Sequence, residues 1–253
     1  MPHSGSVLVT GGASGIGLAL VEELLREGWR VIASDVVRAN IEAAGQQLAG
    51  YGNQLRFAEF DVADEAAVVE AIAAADRDFG PLKGVVNCAG IARDVPALET
   101  SAELFRKILD VNLVGTFLVA REAAKAMKAN GGGSIVNIAS VSGQRGNLGR
   151  AAYGSSKAGV ILLTQVMAVE LATANVRVNA IAPGPIETPL VKALHTDEAR
   201  AAWMQTVPMK RYAAPAEVSG AIAFLLDGEK SGFVTGQTIG VDGGFLAGGL
   251  IGL

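Results

Sequence analysis

Cysteine occurs once in this 253-residue chain, at Cys88, and histidine twice, at His3 and His195. A single cysteine excludes an internal disulfide framework and fits a reducing compartment, where its default role is that of a small buried hydrophobe. These three residues are too few soft ligands for a zinc site, and no metal site is expected. A Ser/His/Asp hydrolase is no better served: its nucleophile needs a histidine beside it, and no Gly-x-Ser-x-Gly elbow occurs. Block-wise lysine or arginine is absent, and the net charge is −4 with a pI near 5.3. Neither nucleic acid nor an anionic membrane is therefore an expected partner. The N-terminus has no basic segment, long apolar run or cleavage site before Val7-Leu8-Val9, so a cytoplasmic location is expected. The longest apolar stretch, residues 158–169, is broken by Thr164 and Gln165 and is shorter than the roughly 20 residues that span a bilayer.

What the chain does have is apolar residues, at 50%, and glycine, at 32 positions. Short β-branched runs at 7–10, 30–34, 55–60, 84–87, 134–138, 176–181 and 238–241 alternate with longer helical patterns. Such alternation predicts an α/β fold with a parallel sheet of seven strands covered on both faces. No Pro- or Ser-rich tract, charge block or repeat marks a linker, so residues 1–253 are expected to form one domain. The pattern holding Phe105, Ile108, Leu109, Val111, Leu113, Val114, Phe117 and Leu118, and the one running from Lys157 to Glu170, are apolar almost all round. Helices of that kind must be covered on both sides, which suggests a subunit interface, and the apolar tail from Phe245 to Ile251 suggests another.

After the first run comes Thr10-Gly11-Gly12-Ala13-Ser14-Gly15-Ile16-Gly17, leading into Leu18-Ala19-Leu20-Val21. A glycine turn entering a helix lets backbone amides and the positive end of the helix dipole approach a pyrophosphate. The Gly-x-x-x-Gly-x-Gly spacing departs from the Gly-x-Gly-x-x-Gly fingerprint, but strand, turn and helix stand where a dinucleotide needs them. Asp35 ends the second run, where a carboxylate accepts from ribose hydroxyls and repels a 2′-phosphate. Val36 and Val37 supply no cation beside it and Ser14 none within the turn, so NAD is favoured over NADP; Arg38 is the one residue that could reverse the choice.

Tyr153 and Lys157 are four residues apart, on one face of a helix, with Ser140 upstream. A phenol titrates near pH ~10 and transfers protons poorly at neutrality unless a cation stabilises its anion, which Lys157 is placed to do. Alone, the pair also reads as an amphipathic helix start with a core tyrosine and a solvated lysine.

The glycine turn, Asn87-Cys88-Ala89-Gly90, Asn112, Ser140, Tyr153-x-x-x-Lys157 and Pro183-Gly184, in this order, resemble the short-chain dehydrogenase/reductase family over essentially the whole chain. The resemblance implies a single Rossmann-type, doubly wound domain whose seven-stranded parallel sheet has the strand order 3-2-1-4-5-6-7. It implies that Asp61 and Val62 meet adenine, that Asn87, Ala89 and Gly90 line the adenosine side, and that Asn112 holds a helix kink and a relay water. It also implies that Pro183, Gly184, Ile186 and Thr188 lie against the nicotinamide. Cys88 stands where the family often has a second Asn.

On this reading Tyr153 is the general acid/base, Ser140 holds the substrate oxygen, and Lys157 lowers the tyrosine pKa and binds the nicotinamide ribose. The expected protein is an NAD-dependent secondary-alcohol dehydrogenase, a homotetramer by its resemblance, acting on a small alcohol or ketone. An NADPH-dependent 3-oxoacyl thioester (acyl carrier protein) reductase and a non-catalytic dinucleotide sensor are the alternatives. Residues 185–210 form the expected substrate lid, with His195, Trp203 and Met204 as candidate lining. Gln144 and Arg145 are candidates on the opposite wall.

Overall fold

The computed structural model describes residues 5–248. Seven strands form one all-parallel sheet in the order β3-β2-β1-β4-β5-β6-β7: β1 Ser6–Thr10, β2 Arg30–Asp35, β3 Leu55–Glu59, β4 Leu82–Asn87, β5 Gly133–Ile138, β6 Val176–Pro183 and β7 Thr238–Val241. Successive side chains of a strand point to opposite faces, and both faces here are covered. Leu8, Val85, Ile135 and Val178 pack on one face against Val68, Ile72 and Phe79 of α3 (Glu65–Phe79) and Val119, Ala123 and Met127 of α5 (Gly115–Ala129). Val7, Val9, Val31, Val86 and Val136 pack on the other, against Leu20, Val21 and Leu24 of α1 (Gly15–Arg26) and Val218, Ile222 and Leu225 of α9 (Ala216–Leu226). Each fully buried Leu or Ile stabilises the fold by about 1.5–3 kcal/mol, which is why the central runs need almost no polar residue.

The order reverses at β1, whose neighbours β2 and β4 lead to opposite edges, and a crevice opens there beyond the strand ends. Two glycines shape it. Gly11, at φ 61°, passes so close to Ala89 that a Cβ would sit 3.0 Å from its backbone, and a Cβ on Gly17 would collide with the Gly11 carbonyl. The turn and the first turn of α1 are thus pressed together in a way only glycine permits.

The predicted helix around 105–118 is not continuous. It divides into α4 (Ala102–Leu109), a π-turn at Asp110–Val114 and α5. Asn112 lies in that turn, fully buried: its Oδ1 accepts from the Ile91 N–H at 2.8 Å, and its Nδ2 donates to the Ile91 carbonyl at 2.9 Å and to Ser156 Oγ at 3.1 Å. An apolar pattern cannot reveal the break, because one polar side chain bonding out of the helix causes it.

Helix α6 (Ala151–Leu171) buries Val160, Thr164 and Met167 but leaves Leu162, Val166 and Val169 exposed. With the following turn it is the one described stretch long and apolar enough to cross a membrane, and it packs against β6 and α4. Between β6 and α9 lie α7 (Pro189–Leu194) and α8 (Asp197–Thr206). Phe245 folds inward onto Val141, Val207 and Trp203; Gly249, Leu250 and Ile251 of the predicted tail, like His3, lie outside the described residues.

Candidate active site

A cleft of about 560 Å³ crosses the crevice. Its walls bring together Gly11, Ser14, Gly15 and Ile16 of the glycine turn, Asp35 and Val36 after β2, Asp61 and Val62 after β3, and Ala89 and Gly90 after β4. Tyr153 and Lys157 of α6 and Thr188 at the start of α7 complete it. The other predicted residues lie behind the walls. Gly17 is buried beneath the turn, and Asn112 braces the segment after β4. Asn87 is buried with its Nδ2 on Asn137 Oδ1 at 2.8 Å and its own Oδ1 without a protein donor. Pro183 is buried at the end of β6, Gly184 opens into a smaller cavity beside Ser140, and Ile186 is packed inward.

The backbone decides whether a dinucleotide fits. Ser14 makes no side-chain cap to α1, so its hydroxyl does not occupy the amides that open α1 toward the turn, as an anion site requires. At the far end Asp35 Oδ1 accepts from the Val37 N–H at 3.0 Å, and no described group donates to Oδ2. Arg38 is exposed and pairs at 2.8 Å with Glu59, the residue that sits beside Asp35 in the β2–β3 register. The residues present fit the group.

Lys157 is almost fully buried and donates from Nζ to the Ile138 carbonyl at 2.7 Å; burial pushes its ammonium down to about 8. Burial likewise pushes the neighbouring Cys88 thiol up to about 11, so it stays a neutral, structural thiol. Tyr153 is half-buried as a residue, yet desolvation pushes its phenol up, and what opposes this is a hydrogen bond with Ser140 and the charge of Arg150. Lys157 Nζ stands 5.7 Å from the phenol ring centroid, while the Arg150 guanidinium stands 5.1 Å from it.

Arg150 is the residue that sequence reasoning missed. Its side chain is 13% exposed, and its Nε pairs with Asp94 at 3.0 Å. A second nitrogen lies 3.3 Å from His195 Nε2. The available signal was its position three residues before Tyr153, one turn of helix away.

Ser140, held by extended backbone at the end of β5, accepts from the Ser142 N–H at 3.1 Å and borders a cavity of about 70 Å³ with Tyr153, Arg150, His195 and Trp203. Arg150, His195 and Trp203 also border an outer cavity of about 610 Å³, walled further by Arg145 and Phe245. His195 and Trp203 thus line it as expected, and Arg145 does; Met204 and Gln144 do not. His195 Nδ1 lies 2.9 Å from the Tyr212 hydroxyl, and burial first, then the Arg150 charge, holds its pKa below the ordinary value.

A family model described as enoyl-(acyl carrier protein) reductase matches residues 11–246. The chain is 39% identical over 239 residues to the 3-oxoacyl-[acyl-carrier-protein] reductase FabG of Thermotoga maritima, covering 94% of this chain and 96% of that one. It is 38% identical over 241 residues to the cis-4-hydroxycyclohexanecarboxylate dehydrogenase of Sinomonas cyclohexanicum, covering 95% and 96%. The crystal structure of levodione reductase superposes with a TM-score of 0.92 at 35% identity, covering 98% of this chain and all of that one. The chain belongs to the short-chain dehydrogenase/reductase family, whose members bind a nicotinamide dinucleotide, and it is an oxidoreductase acting between CH–OH and carbonyl groups.

Proposed function

We propose that this protein is an NAD-dependent dehydrogenase of a secondary alcohol, working with Tyr153 as general acid/base. The observation that carries the reading is that Ser140 and Tyr153 border one small cavity, on the α6 side of a dinucleotide-sized cleft that Tyr153 and Lys157 also line. When bound, the nicotinamide would supply hydride exchange at the substrate carbon. Ser140 would hold the substrate oxygen while Tyr153 takes the hydroxyl proton in oxidation or returns it in reduction. Arg150 would favour the phenolate that oxidation requires. Lys157, whose Nζ would lie 3.6 Å from a Cβ placed on Gly90, would hold the ribose hydroxyls beside the reacting ring. Asn112 would keep the Gly90–Ile91 segment in place under them.

Asp35, with no described group donating to its Oδ2, supports NAD over NADP. The exposed Leu162, Val166 and Val169 of α6, with Phe117 and Val114 nearby in sequence to the π-turn, support a homotetramer, and the single cysteine supports a cytoplasmic location. The segment at 185–210 would act as the lid, carrying His195 and Trp203 over the substrate. A second reading, a 3-oxoacyl thioester reductase with NADPH, is favoured by the name of the Thermotoga maritima relative.

Reduced-cofactor formation across cyclic alcohols, polyols and hydroxy acids, with NADP+ in parallel and 3-oxoacyl thioesters in the reverse direction, separates the two. Tyr153→Phe is expected to lower kcat by about 10²- to 10⁴-fold or more with dinucleotide affinity largely retained; a variant that still turns over at the wild-type rate removes Tyr153 from the mechanism.

A further inference from the structure

The outer cavity has a charge that nothing in the proton-transfer chemistry uses. Of the cationic groups around it, Arg150 is neutralised by Asp94 at 3.0 Å, and Arg200, behind the lid, by Glu187 at 2.6 Å. Arg145 pairs with no described carboxylate; its guanidinium lies 5.3 Å from the Phe245 ring centroid, at the cavity wall. Its other walls mix aromatic rings with polar groups, Asn147, Thr206 and the Asp94 already paired with Arg150. Trp203 and Phe245 lie 5.0 Å apart, and the His195 ring stacks on Trp203 with its plane only 7° away. The cavity shares Arg150, His195 and Trp203 with the small one at Tyr153, which puts these rings and Arg145 on the outer side of Ser140.

We infer that the substrate is a cyclic alcohol or ketone bearing a carboxylate remote from the reacting carbon, its ring against Trp203 and Phe245 and its carboxylate on the Arg145 guanidinium. This rests on the dehydrogenase reading above. A guanidinium that can offer a two-pronged donor set to a planar anion, with one face already shielded by a ring, is suited to carboxylate. A phosphate on a long acyl-thioester arm is the other source of negative charge. One guanidinium beside a ring-lined cavity of about 610 Å³ favours the compact carboxylate.

The test compares a ring ketone carboxylate, 4-oxocyclohexanecarboxylate, with its methyl ester in the wild type, Arg145→Gln and Arg145→Lys, using enzyme saturated with reduced dinucleotide. The wild type is expected to prefer the carboxylate. In Arg145→Gln the carboxylate-to-ester ratio of kcat/KM should fall about tenfold, between the few-fold effect of an exposed ion pair and the hundredfold effect of a buried one, and Arg145→Lys should fall between the two. A ratio unchanged by Arg145→Gln, or a wild type that prefers the ester, overturns the inference. So does faster turnover of a 3-oxoacyl coenzyme A thioester than of the carboxylate, with the difference lost in Arg145→Gln. Quenching of Trp203 fluorescence by the two ligands, read against a Trp203→Phe control in the Tyr153→Phe background, tests the same ratio without turnover. If no ketone reacts but the carboxylate still binds more tightly through Arg145, the dehydrogenase reading fails and the anion site stands. If neither ligand quenches and neither reacts, the anion site fails as well.

Discussion

Replacing Asn112 with Leu separates what this residue holds from what it is expected to relay. The side chain is fully buried and makes three hydrogen bonds, two of them to the backbone of Ile91 and one to Ser156 on α6. Leucine fills a similar volume, so the cost comes from polar groups rather than from a cavity. Losing the bonds removes about 0.5–1.5 kcal/mol each, and orphaning the Ile91 N–H and carbonyl in a part-buried setting adds about 1–3 kcal/mol at each group not reached by water. Toward the lower end of these ranges, with one of those groups reaching solvent, the net cost is about 3–4 kcal/mol. For a domain of this size 1 kcal/mol moves Tm by about 2–4 °C, so the melting point should fall by about 6–16 °C in a calorimetric scan. Because Ile91 follows Gly90 in the cleft wall, dinucleotide affinity should fall with it. A Tm within 2 °C of the wild type, together with lost turnover and intact dinucleotide binding, would refute the bracing role and leave only a relay.

Three further outcomes follow from the same contacts. Lys157 is charged and desolvated below pH 8, so the cost of burying it is fully present there; between about 8 and its ordinary 10.5 the unfolded chain binds the proton more readily, and stability rises with pH. Lys157→Met should therefore melt higher than the wild type at pH 7, by an amount reflecting roughly 3 kcal/mol, with the gap closing as pH passes 8; a gap independent of pH contradicts this. Asp35→Ser should raise the NADP-to-NAD ratio of kcat/KM at least tenfold by removing a repelling charge, whereas an unchanged ratio would place the ribose elsewhere. Gly17→Ala should cost about 1–3 kcal/mol of combined stability and dinucleotide binding, measured by melting with and without NAD, because its Cβ collides with the Gly11 carbonyl.

Much of the fold is legible in the chain because both faces of the sheet are covered. Strands buried on both sides become continuous apolar runs, and Val7-Leu8-Val9, Val31-Ile32-Ala33 and Val85-Val86 show this directly. The π-turn is legible only through the family resemblance, which puts a helix kink at Asn112; nothing in the apolar spacing of 105–118 distinguishes Asn112 bonding within its helix from Asn112 bonding out to Ile91. The inward path of Phe245 is hidden for a similar reason: an apolar residue near the end of a chain serves equally to dock on a partner or to close its own substrate pocket, and only Trp203 and Val207, some forty residues earlier, decide.

Two cations stand beside Tyr153, and spacing along the chain points to only one of them. Spacing of i and i+4 places Lys157 on the same helix face as Tyr153, and a four-carbon side chain goes to the best acceptor within reach. Here that acceptor is the Ile138 carbonyl at the end of β5, with Nζ 5.7 Å from the phenol ring centroid. Arg150 precedes α6 and is pinned by Asp94, so its guanidinium has one place to lie, across the Tyr153 ring. The division has a chemical consequence. A lysine held by a backbone carbonyl is a fixed donor for a ribose, while an arginine that never loses its proton gives the phenolate a field constant over the whole working pH range. Exchanging Arg150 for Gln should therefore move the acid limb of the kcat/KM profile for alcohol oxidation to higher pH, because the Tyr153 phenol loses the cation that opposes its burial. Lysine at the same position should restore part of the shift. A limb that stays in place in Arg150→Gln would return the role to Lys157.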